Sequence, residues 1–188
     1  MAKLEQPGDT EARAQLRSEV RARLREAAND LAEQRRSGPV RVSLTERVEA
    51  LGFGVETAEV FDLLPVIHVA WADGEIQAPE RDAILRVLDA RGIADESRAR
   101  VLVTSLLEQH PGKNYMDETL AILREILGKD ARRSTALVEL CVHVAEAHGA
   151  GPHGLDDPID PRERQALEEV AAALGDRARA WLAAKIVR

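Results

Sequence analysis

Along nearly the whole chain apolar residues recur at three- and four-residue steps, the period of an amphipathic helix. Leu16, Val20, Leu24, Ala27 and Leu31 form a narrow stripe in an otherwise charged segment. With Asp9 or Thr10 as cap, this predicts a helix running to about Arg36. Ser37-Gly38-Pro39 then breaks the pattern, which makes Arg36 to Val40 the best linker in the chain. A short helix from Leu44 to Leu51 follows, closed by Gly52-Phe53-Gly54. Next come Val60, Leu63, Leu64, Ile67 and Trp71 at helical spacing, with Phe61, Val66 and Val69 filling the flanks. A helix apolar all round is a central, buried one. Pro65 lies inside this run and lacks an amide proton, so it either begins a shorter helix or kinks a longer one; a kink is the expectation. Asp73-Gly74 ends the run, and a new helix carrying Ile84, Val87 and Leu88 begins before Glu80.

Further on, Asp95 is the expected cap of a helix carrying Ala99, Leu102, Val103, Leu106 and Leu107, which His110-Pro111-Gly112 terminates. A helix from near Asn114 carries Met116, Leu120, Leu123, Ile126 and Leu127 and stops at Gly128. Another covers Leu137 to His148, and a glycine-rich loop follows it. Asp160-Pro161-Arg162-Glu163 then places a cap, a proline in the first turn and a glutamate able to bond back to the cap residue. The last helix holds Ala178, Trp181, Leu182 and Ile186. Strand-like alternation is confined to Val40 to Val42, so the fold class is all-α.

Aligning VIHVAWADG (Val66 to Gly74) with CVHVAEAHG (Cys141 to Gly149) matches His68 to His143 and Gly74 to Gly149. Beyond the turn Ile76 pairs with Ile159, Glu80 with Glu163, Arg81 with Arg164 and Gly92 with Gly175. The expected architecture is therefore a two-lobed helical bundle with an internal helix-turn-helix repeat, preceded by a charged helix and linker over residues 1–39. The helical domain covers 40–188. The N-terminal stripe is narrow enough that deleting everything before Pro39 is expected to leave the rest folded; narrow stripes also serve partner and self-association helices.

Composition adds limits. A chain of 188 residues, 45% of them hydrophobic, can bury its own core without disulfides or metal. Its lone Cys141 sits in an apolar run and reads as a small core residue in a reducing compartment. Charge appears too early after Met1 for a secretory signal, and no apolar run approaches the length of a spanning helix, so a cytoplasmic protein is expected, without direct membrane insertion. A net charge of -7 argues against a nucleic-acid surface.

Candidate chemistry is confined to the turns. Asp73, Glu75 and Glu80 are hard oxygen ligands of the kind Ca²⁺, Mg²⁺ and Mn²⁺ take. Asp73 and Glu75 are close on a glycine turn, and Glu80 is expected to reach back toward them, giving a first turn that binds a divalent cation better than the second. The spacing is not that of an EF-hand, since Ile84 would stand where the bidentate acid belongs and Ala78 where glycine does. His148, His153, Asp156 and Asp157 crowd the inserted loop without thiolates and make a poor zinc site. His68 and His143 are expected to be partly buried and bonded to backbone carbonyls. No nucleophile elbow, phosphate loop or His-Glu-x-x-His is present, so an enzyme would have to be a metal-assisted hydrolase built on the same carboxylates.

The stretch LLPVIHVAWADGEIQAPERDAILRVLDARGI, with Ala72-Asp73-Gly74-Glu75-Ile76 followed by Glu80, resembles the TerB-like domains of tellurite-resistance proteins and of membrane-anchored DnaJ-type co-chaperones. Ile159, Asp160 and Glu163 match part of a second, degenerate copy, in which His148 and Pro158 replace acidic residues. The resemblance implies an all-helical, non-enzymatic module of a bacterial stress response. It also implies Asp73, Glu75, Glu80, Asp160 and Glu163 as candidate ligands of a divalent cation (Ca, Mg or Mn), and protein partners that include membrane-associated ones. The alternatives are the hydrolase and a purely structural helical scaffold.

Overall fold

A computed structural model describes residues 7–37, 43–149 and 159–186. Every regular element among them is helical: α1 (Pro7–Ser37), α2 (Leu44–Ala50), a 3-10 segment (Ala58–Leu63), α3 (Leu64–Ala70), α4 (Ala78–Ala90), α5 (Arg98–Glu108), α6 (Lys113–Leu127), α7 (Ala131–Gly149), α8 (Pro161–Leu174) and α9 (Asp176–Ile186). The weak alternation at Val40 to Val42 lies outside the described residues. No helix among them is long and apolar enough to cross a membrane.

The centre of the molecule is α3 against α7. Apart from His68, every side chain of α3 is buried, as its unbroken apolar character demands. Around it lie α6, α7 and α8, while α7 also packs on α4 and α9. Val138, Cys141, Val142, Val144 and Ala145 give α7 its buried face.

Pro65 does not kink a long helix. It occupies the first turn of the shorter α3, preceded by the 3-10 segment, so its missing amide proton falls where a helix has no internal acceptor to satisfy. The cap of α5 is likewise Ser97 rather than Asp95: Ser97 Oγ accepts from the Arg100 amide at 3.1 Å, while Asp95 pairs with the Arg100 side chain at 3.0 Å. A turn closed by the Ser97 amide on the Ala94 carbonyl holds the chain out of the helix until that point. Helix α7 begins earlier than its apolar pattern indicated, because Asp130 accepts from the Arg133 amide at 3.0 Å and starts a polar first turn.

The stripe on α1, from Leu16 to Ala27, packs on the core rather than standing spare, and the Leu31 side chain lies outside the described residues. Val20 and Ala27 are 7% and 5% exposed, and Leu16 and Leu24 pack against the same core. The helix lies across α5 and α6, tied by Arg21 to Glu108 and by Arg98 to Glu19 at 3.0 Å.

Candidate functional site

The α3–α4 connection lies beside the start of α8 on one side of the central pair. Arg162, in the first turn of α8, donates from Nη1 to the Asp73 carbonyl at 3.2 Å and so joins the α3–α4 connection to α8. Gly74 closes this connection with φ 102°, a conformation that glycine reaches freely and other residues do not.

Glu80 and Glu163 do the same local work. Each stands in the first turn of its helix, where one carboxylate oxygen accepts from the backbone amide of the cap residue: Gln77 to Glu80 Oε2 at 2.8 Å, Asp160 to Glu163 Oε2 at 2.8 Å. Proline in each first turn removes an amide that would otherwise need a partner. The two side chains are 1% and 3% exposed, an uncommon fate for glutamate.

They also face one another. Burial, first, and then the charge and side chain of Glu163 with the charge of Asp73 push the Glu80 carboxyl up to about 8, opposed only by the Gln77 amide. Its second oxygen, Oε1, is buried and has no donor from any described N–H or O–H. A carboxyl pair of this kind has two stable states: one proton held between the oxygens, or both carboxylates ionised around a cation.

The remaining candidates are arranged differently from expectation. Glu80 does not reach back to form a three-carboxylate cluster with Asp73 and Glu75. Its carboxylate is drawn inward by its own helix N-terminus, whose free amides are the closer partner. Asp73 Oδ1 accepts from the Glu75 amide at 2.9 Å, and Glu75 is exposed. Asp160, also exposed, accepts from the Arg162 amide at 2.8 Å as a helix cap. Among the described residues no group of three His, Cys, Asp or Glu is placed to hold a metal ion. The structure thus brings Glu80 and Glu163 together with Asp73 close by, and leaves Glu75 and Asp160 outside.

The histidines differ from one another. His143 is exposed. His68 is largely buried, its Nε2 has no hydrogen-bond partner and stands 3.7 Å from Glu169 Oε2, and desolvation holds its pKa below the usual value. Among the described residues neither finds the expected backbone carbonyl. The loop carrying His153, Asp156 and Asp157 lies outside the described residues, as does the His148 side chain. Cys141 is fully buried, and burial pushes its thiol pKa up.

The sequence aligned the two glutamates as equivalents without bringing them together in space. The available signal was their identical place in the two aligned stretches: if the stretches pack side by side, equivalent residues near the junction meet. Compared with known protein families, with characterised proteins and with solved structures, the chain matches none.

Proposed function

We propose that the chain is a non-enzymatic, metal-responsive interaction module of the tellurite-resistance type. On this reading its internal repeat holds one hard divalent cation between the starts of α4 and α8, and partner proteins read the resulting state. The observation that carries this is the buried Glu80–Glu163 pair with Glu80 Oε1 unpartnered. Ionised, the pair sets two buried anions beside the charge of Asp73, a costly arrangement unless a cation joins it. The donor set is all oxygen, which suits Mg²⁺, Mn²⁺ or Ca²⁺, and Mg²⁺ is commonly held by one or two carboxylates while keeping water. The bound cation would supply charge neutralisation between α4 and α8 and lock the first turn of one helix to that of the other. The hydrolase reading fits less well, because carboxylates exposed by 1% and 3% are out of a substrate's reach.

The test is thermal melting in chelator and in millimolar Mg²⁺, Mn²⁺ or Ca²⁺. A cation bound only by the folded chain stabilises it by about 2.7 kcal/mol at a hundredfold excess over its dissociation constant. The parent is expected to gain stability, Glu80→Gln and Glu163→Gln to gain none, and Glu75→Gln to respond like the parent. No shift in the parent, or a full shift in Glu80→Gln, rules the site out.

A further inference from the structure

Each glutamate of the buried pair has already committed one oxygen. Glu80 Oε2 accepts from the Gln77 amide and Glu163 Oε2 from the Asp160 amide, both at 2.8 Å, and these bonds close the first turns of α4 and α8. Giving both oxygens of either carboxylate to one ion would compete with that cap, so each side chain has a single oxygen to offer. For Glu80 it is Oε1, the buried atom that finds no donor. Asp73 is placed differently. Its charge bears on Glu80 without a bond between the side chains, and its Oδ1 already accepts from the Glu75 amide at 2.9 Å. Asp73 is half-buried, while Gly74 and Glu75 beside it are in solvent, so water approaches the pair from this side.

We infer that the starts of α4 and α8 select a small cation that keeps most of its water, Mg²⁺ or Mn²⁺, over Ca²⁺, with Glu80 and Glu163 each binding through one oxygen and Asp73 acting only through a bound water. This rests on the cation reading above and adds to it which ion is taken and how each carboxylate serves. Ca²⁺ draws its affinity from about six to eight oxygens, often with a carboxylate that gives both of its own. The two cap bonds deny it that second oxygen twice over. Mg²⁺ is commonly held by one or two carboxylates, with water filling the rest of an octahedron, and Mn²⁺ takes the same all-oxygen surroundings. Two single oxygens leave about four positions to water. One such water is the natural link to Asp73, whose second carboxylate oxygen accepts from it, and a bridge of this kind is nearly as favourable as a direct bond. Glu75, exposed and joined to the connection by its amide, has no part.

Isothermal titration of the full chain with the chlorides of Mg²⁺, Mn²⁺ and Ca²⁺, at constant ionic strength and after removal of chelator, tests the order. Mg²⁺ and Mn²⁺ are expected to bind at least about fivefold tighter than Ca²⁺. Pulsed EPR of the Mn²⁺ complex in ordinary and isotope-labelled water counts the waters kept, and about four are expected. Asp73→Asn retains the acceptor for the Glu75 amide and should weaken Mn²⁺ about tenfold, the Coulomb effect of one charge on a divalent ion through water at roughly 6 Å. It should leave the water count unchanged, whereas loss of a direct ligand would raise it by one. Glu80→Gln and Glu163→Gln keep the acceptors for their cap amides and should lose binding. Where a glutamine variant fails to fold, the ion order and water count of the parent decide alone. Ca²⁺ binding as tightly as Mg²⁺, two or fewer waters, or a water gained in Asp73→Asn overturns this proposal and leaves the cation reading standing. No binding of any of the three ions by the parent, or undiminished binding by folded Glu80→Gln, ends both.

Discussion

At the scale of single residues, the buried acid and the buried base act on stability at opposite ends of the pH range. Glu80 has a carboxyl raised from 4.5 to about 8, so the stability it lends is complete below its unfolded value and is lost as pH rises through about 8. His68 has a lowered value, so its contribution is present above 6.5 and is lost as pH falls below it. In chelator the melting temperature should therefore decline on both the alkaline and the acid side. Each pKa unit corresponds to ~1.4 kcal/mol, which puts the alkaline loss at a few kcal/mol. Glu80→Gln keeps the acceptor for the Gln77 amide and offers Glu163 an N–H donor, so it should flatten the alkaline limb alone. His68→Gln should flatten the acid limb. A Glu80→Gln curve that still falls through pH 8 would show that another group titrates there.

At the scale of elements, the connections rest on a few polar contacts whose loss has a definite size. Tyr115 on α6 donates its hydroxyl to the Leu51 carbonyl at the end of α2, at 2.9 Å and fully buried. Tyr115→Phe leaves that carbonyl without its donor and should cost about 1–3 kcal/mol in denaturant unfolding with an unchanged m-value. Trp71 works similarly, its indole donating to the Leu106 carbonyl at 2.9 Å and so tying the end of α3 to α5. At Gly74 a Cβ would touch nothing within 4 Å, yet φ is 102°. Gly74→Ala should thus lower stability by about 1–3 kcal/mol through backbone strain alone. A neutral result would mean that the connection relaxes to a different path.

For the whole molecule the question is what α1 contributes. The narrow stripe was expected to be dispensable, whereas Val20 and Leu24 help close a cleft over Leu102 of α5. A chain beginning at residue 40 keeps the α3–α7 centre but uncovers that surface. It should retain the helical signal of α2 to α9 and melt at a lower temperature than the full chain, with greater binding of a hydrophobic dye. An unchanged melting temperature would mean that α1 is only laid on a surface already stable without it. Val55, 99% exposed on the loop beside this cleft, is the one large apolar residue left fully in solvent among the described residues.

Fold class, most helix positions, the cap at Asp160 and the glycine turn at Gly74 are determined by local physics, so they are legible in the sequence alone. Period, proline and glycine placement, and the capping tendency of short polar side chains all act within a few residues. The central place of α3 was legible for the same reason: a helix without a polar face has nowhere else to go. Pro65 shows where local reasoning divides, since the residue permits either a kink or a helix start and only the packing around it selects the start. The five acidic candidates were likewise visible as residues but not as a site. Glu75 and Asp160 are spent on solvent and on capping, while Glu80 and Glu163 are brought together by the packing of α3 and α4 against α7 and α8. That meeting depends on desolvation and on approach between segments far apart in the chain, and both come into being only when the tertiary structure forms.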